Sequence, residues 1–78
     1  MLISKKILIV GAGEAGFSLL RELKQRGAAD RVAAFVDDDI LKIGGVVDNI
    51  NIVGPVEEIS RFCEEMDISE VIVAVPSS

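Results

Sequence analysis

The chain has 78 residues, 50% of them hydrophobic, and a formal net charge of −5. A single small domain of this length buries only roughly 60% of the surface its unfolded chain exposes, and an apolar half rich in Val, Ile, Leu and Ala suits a sheet covered on both faces. The negative charge argues against nucleic acid or an anionic membrane as main partner, because both require a basic face, and the lack of Trp and Tyr leaves few platforms for stacking bases.

Lys6-Ile7-Leu8-Ile9-Val10 is an apolar run that stops at glycine, so it reads as a strand buried on both faces. Glu14 to Arg26 follows with helical spacing. Gly16, Leu19, Leu20 and Leu23 fall on one face, while Arg21, Glu22, Lys24 and Gln25 fall away from it. Lys24 and Arg26 favour a helix C-terminus, and Gly27 is placed to end the helix. Arg31-Val32-Ala33-Ala34-Phe35-Val36 is the second strand, closed by Asp37-Asp38-Asp39. Residues 38 to 50 lack a helical period, and Gly44-Gly45 and Asp48-Asn49 point to a turn-rich connection. Asn51-Ile52-Val53 reads as a short third strand ending at Gly54-Pro55. Pro55, Glu57 and Glu58 suit a helix start, so a second helix is expected over 55–66 with Val56, Ile59, Cys63 and Met66 on one face. Val71 to Val75 is the fourth strand, and Pro76 ends it.

The expected architecture is α/β: a Rossmann-like parallel sheet in strand order 3-2-1-4 with helices on both faces. Ligands then bind at the carboxyl ends of strands 1 and 4. The outer edge of strand 4 would be bare, so the chain is expected to be part of a larger protein or to pair with another domain or a second copy. No apolar run approaches the roughly 20 residues a membrane helix needs. The start, Met1 to Lys6, lacks the apolar core of a signal peptide. A single cysteine, Cys63, builds neither a disulfide framework nor a metal site, which favours a reducing, cytoplasmic location.

Gly11-Ala12-Gly13-Glu14-Ala15-Gly16 carries the chemistry. The spacing alone is common. Here the motif follows a strand, opens a helix, and precedes by about 20 residues an Asp at the end of the next strand. Gly11 permits the tight turn, Gly13 lets a pyrophosphate approach the backbone, and Gly16 lets the helix pack on the sheet. Amides at the helix N-terminus then face the anion. The competing reading is a glycine turn kept for packing. Asp37 would accept hydrogen bonds from the ribose hydroxyls and repel a ribose phosphate, which favours NAD over NADP and coenzyme A. Asp38 is a further candidate contact. Three adjacent acids cannot all face one ribose, so a solvated turn or a loose cation site is the alternative for some of them. Glu14 already satisfies part of the helix dipole, and would compete with a ligand if it folded over the loop. No catalytic set is visible: there is no His, no Tyr and no placed nucleophile. Cys63 falls on an apolar helix face, where an inert thiol is expected. Ser77 and Ser78 would overhang the cleft or fray.

Four blocks together resemble one family: Ile7 to Gly16, Ala34 to Asp39, Val53-Gly54-Pro55, and Ile68 to Pro76. They are similar to the N-terminal Rossmann-like, often called CoA-binding-like, domain of CapD-type nucleotide-sugar epimerases and dehydratases of bacterial capsule and polysaccharide biosynthesis. A similar domain occurs in some membrane-bound sugar-phosphate transferases. The resemblance implies a domain set between N-terminal membrane helices and a larger catalytic domain, with the parent anchored in the inner membrane and this segment itself out of direct membrane contact. The family's catalytic residues belong to that other domain, so none carries over. Gly11, Gly13, Gly16 and Asp37 carry over as nucleotide contacts. The chain departs from the family at Gly44 to Asn51, where Gly45 to Asn51 is longer and lacks a proline. Two other readings stand beside this one. One is the NADH-sensing domain of Rex-type redox repressors, which share a similar loop, strand and acidic pattern. The other is a dimerisation scaffold that binds nothing.

Overall fold

The computed structural model describes residues 5–74. The readings of Met1 to Ser4, Val75, Pro76, Ser77 and Ser78 lie outside the described residues. Four strands match the expected ones: β1 (Ile7–Val10), β2 (Val32–Val36), β4 (Ile50–Gly54) and β5 (Glu70–Val73). They are adjacent in the expected order, and their mutual pairings are parallel.

The sheet has a fifth strand that the sequence reading placed in a turn-rich connection. β3 (Val46–Val47) pairs antiparallel with β4, Val46 opposite Asn51 and Val47 opposite Ile50, and forms one edge. The full order is therefore β3-β4-β2-β1-β5, not the four strands expected. Asp48 and Asn49 both take positive φ, 51° and 70°, as a two-residue hairpin of mirror-image type requires. The segment that departs from the resembled family is this hairpin. Asp48 also pairs with Lys24, tying the turn to the first helix.

α1 (Glu14–Gln25) covers one face of the sheet. Ile7 and Ile9 of β1 point to that face and pack with Leu20, Val32, Phe35 and Ile52, while Leu8 points to the other face with Ala34, Val36 and Phe62. This alternation follows from the period of two along a strand. Val32 and Phe35 share a face despite their odd spacing, because the register slips between Ile7 opposite Val32 and Leu8 opposite Ala34. The helix ends where Gly27 takes φ of 73°. Its amide donates to the Lys24 carbonyl at 3.0 Å and that of Ala28 to Leu23 at 2.8 Å, which satisfies carbonyls the helix would leave unpaired.

The second expected helix is shorter. Val56–Glu58 form a tight 3-10 turn, and α2 spans Ile59–Glu65. Val56, Ile59, Cys63 and Met66 pack against the second core cluster as their spacing predicted. The side chain buried deepest on that helix is Phe62, which the sequence reading left off the face. The Cys63 thiol is partly buried among these apolar side chains. Among the described residues, no helix is long and apolar enough to cross a membrane.

Candidate functional site

The loop between β1 and α1 lies at the carboxyl end of the parallel strands. Gly11 continues the ladder, donating to the Val36 carbonyl at 2.8 Å, and then turns with φ of 107°. A Cβ there would stand 3.1 Å from the Ala74 carbonyl, so β5 crowds this turn from the other side. Gly16 is more confined: a Cβ would meet the Gly11 carbonyl oxygen at 1.9 Å and the Phe35 ring at 3.3 Å. The helix approaches its own preceding loop that closely only because Gly16 has no side chain. Gly13 differs, since among the described residues the only atom near its missing Cβ is Lys42 Nζ, at 3.3 Å.

These residues border an open cavity of about 360 Å³, lined by Gly11, Gly13, Glu14, Ala15, Gly16, Asp37, Lys42 and Ala74. That volume is in the range of small-molecule sites. Of the candidate site residues, Gly11, Gly13, Glu14, Ala15, Gly16 and Asp37 all meet at the cavity. Glu14 is exposed at its rim as the first residue of α1. Gly13 precedes the helix, and among the described residues no side chain caps it. The first amides of α1 therefore keep their positive end toward the cavity.

Asp37 is already engaged. Its Oδ2 accepts from the Ala12 amide at 2.7 Å and its Oδ1 from the Asp39 amide at 2.8 Å. Those two hydrogen bonds hold the carboxyl below its ordinary value of 3.8; burial works against them and the Lys42 charge adds to them. The carboxylate thus fastens the glycine loop to the end of β2. Each oxygen keeps a second lone pair that a ribose hydroxyl can use. Asp38 does not line the cavity. Its Oδ1 accepts from the Val56 amide at 3.3 Å, at the start of the turn leading into α2. Asp39 Oδ1 accepts from the Leu41 amide at 3.0 Å. The acidic cluster is thereby divided into three separate tasks, and among the described residues no group of three or more acidic, His or Cys side chains is placed to hold a metal.

Lys42 was not anticipated from the sequence. It sits in a run with no helical or strand period, and a lone Lys among turn residues reads as solvated surface. Only the fold of the loop over Gly13 makes it part of the cavity. Its backbone is fixed, with the amide donating to the Asp39 carbonyl at 2.9 Å and the carbonyl accepting from Gly45 at 3.0 Å.

No family model matches the chain. Over 73 residues it is 37% identical to the redox-sensing transcriptional repressor Rex of Desulforamulus reducens, covering 91% of this chain and 33% of that protein. Over 75 residues it is 32% identical to the probable polysaccharide biosynthesis protein EpsC of Bacillus subtilis, covering 95% of this chain and 12% of that protein. Among solved structures, UDP-D-quinovosamine 4-dehydrogenase from Vibrio fischeri is similar at a TM-score of 0.79 and 38% identity, covering 97% of this chain and 61% of that one. The chain thus spans a third or less of the curated relatives it matches. It has a Rossmann-like fold, similar to parts of a polysaccharide biosynthesis protein, of a UDP-sugar 4-dehydrogenase and of a redox-sensing repressor.

Proposed function

We propose that this chain is the nucleotide-binding domain of a CapD-like nucleotide-sugar epimerase or dehydratase of polysaccharide biosynthesis, and that its ligand is NAD-like. The observation that carries the reading is the cavity: an uncapped helix N-terminus and a Gly13 approached, among the described residues, only by the Lys42 tip open onto the same space as Asp37. The likeness to EpsC and to the UDP-sugar 4-dehydrogenase supports the sugar context. In this reading the amides of Glu14, Ala15 and Gly16 face the diphosphate and Asp37 takes the ribose with its spare lone pairs. A ribose phosphate would crowd the Asp37 carboxylate, so NAD is bound in preference to NADP and coenzyme A. Calorimetric titration with NAD, NADP, coenzyme A and a UDP-sugar tests this. Equal affinity for NAD and NADP removes Asp37 from the ribose site. No binding of any of them at millimolar concentration supports the scaffold reading instead.

A Rex-type sensor is the second reading, favoured by the 37% identity over 73 residues. A redox sensor must bind the reduced and oxidised cofactor with different affinity, since a ligand pair with no differential affinity shifts nothing. Parallel titrations with NADH and NAD separate the two readings. In either case, β5 has one edge with no partner strand among the described residues, and Val71 and Val73 are exposed on it. Self-association or docking of a further domain through that edge is expected, and light scattering that finds only monomer at high concentration rules out self-association.

A further inference from the structure

We propose that Lys42 is the residue that neutralises the diphosphate of the nucleotide bound at the glycine loop, an inference that rests on the nucleotide reading above. Its ammonium stands 3.3 Å from where a Gly13 side chain would begin, in the space this glycine leaves open. Among the described residues Lys42 forms no ion pair. The neighbouring carboxylate of Asp37 accepts from the Ala12 and Asp39 amides and lies near enough to feel the Lys42 charge, but the two form no ion pair, so the ammonium stays available to an anion at the positive end of α1. The other charged groups lining the cavity are Asp37 and Glu14, both acidic, so a diphosphate entering there meets two like charges. Lys42 supplies the opposing one.

The backbone of Lys42 is pinned at both its amide and its carbonyl, while the four-carbon stem is free to swing. A phosphate oxygen can therefore take the place next to Gly13 and draw the ammonium to a charge-assisted contact of about 2.8 Å. This arrangement separates the two acidic and basic roles at the site. Asp37 reads the sugar, and Lys42 reads the phosphate.

The test is a chemical-shift titration of the full chain with ADP and with adenosine, for wild type, Lys42→Met and Lys42→Arg. Lys42→Met is expected to weaken ADP about tenfold while leaving adenosine within roughly twofold, because only the charged hydrogen bond is lost. Lys42→Arg should retain most of the ADP affinity. In wild type, raising the salt should weaken ADP and spare adenosine, which reads the same contact without any substitution. Equal loss for ADP and adenosine in Lys42→Met shows that Lys42 merely shapes the loop and overturns the inference. So does wild-type ADP binding that neither Lys42→Met nor salt disturbs, which leaves the nucleotide reading intact. Failure of wild type to bind ADP, adenosine or NAD overturns both.

Discussion

In the first crossover, from β1 through α1 to β2, the strand ends just before Gly11 and the helix begins after Gly13, with nothing among the described residues over Gly13 except the tip of Lys42. In the second, from β4 through α2 to β5, the strand ends at Gly54, and a Cβ there would stand 2.5 Å from the Phe62 ring. Both glycines make room at the carboxyl end of a parallel strand. At Gly54 the chain fills the room with its own aromatic ring, whereas at Gly13 it leaves the room open. The segments that lead into the helices differ as well. Asp38 accepts from the Val56 amide at the start of the 3-10 turn before α2, while α1 begins directly after Gly13, and among the described residues neither helix has a side-chain cap at its own start. One half of the domain is closed by its own side chains, and the other keeps an open space at Gly13, where the proposed nucleotide would lie.

The sharpest way to break the comparison is at Gly16, where the first crossover is packed as tightly as the second. Gly16→Ala puts a methyl against the Gly11 carbonyl, a backbone atom that cannot swing aside. A loss of about 3 kcal/mol or more is expected, a large fraction of the stability of a domain of this size. Urea denaturation measures it, and a loss below about 1 kcal/mol would show that the loop relaxes freely.

Gly54→Ala should cost less, about 1–3 kcal/mol, because the obstacle is a side chain. Combining it with Phe62→Leu should recover part of that loss in a double-mutant cycle, since the two sites share one space. Strict additivity would separate Gly54 from Phe62 and remove the contrast with Gly13.

Asp37→Asn should cost about 1–2 kcal/mol at neutral pH, by weakening the hydrogen bonds that tie Ala12 and Asp39 to the end of β2. The folded-state carboxyl titrates below its ordinary value of 3.8, so its stabilisation is present above that pH and is lost as pH falls through the lower folded value. The gap between wild type and Asp37→Asn should hold steady from neutral pH to near 4 and close below it. A gap independent of pH down to about 2 would place the effect elsewhere.

Gly13→Val should have the smallest effect on stability, within about 0.5 kcal/mol, because the backbone there is extended and only the Lys42 tip must move. The same substitution should abolish NAD binding, since the branched side chain occupies the phosphate approach. Unchanged NAD affinity in a folded Gly13→Val protein would mean that the open room is not the binding site.

Much of this was legible in the residues themselves. The apolar run Ile7 to Val10 ends at a glycine, and the leucines of Glu14 to Gln25 repeat at helical spacing, so both elements follow from local period. Asp37 could be placed at the end of β2 because charge cannot continue a buried strand. At Asp48-Asn49 the turn was legible but not the hairpin: Val46-Val47 show no alternation, and Asp-Asn is a weaker signal than the Asn-Gly pair usually sought. Phe62, three residues after Ile59 and four before Met66, also falls on their face by helical spacing; its contact with Gly54, eight residues earlier, is what only the fold decided.

What the chain's order determined by itself was the four parallel strands, most of the two helix faces, and a glycine loop followed by an acid. Which acid does what was decided by the tertiary structure. Asp37 meets Ala12 across 25 residues, Asp38 meets Val56 across 18, and Lys42 meets Gly13 only because its loop folds back over the first crossover. The reason is one of range. Periodicity and turn preference act over a few residues, whereas a charge becomes part of a site through neighbours that are distant in the chain and brought close by the pairing of β1, β2 and β4.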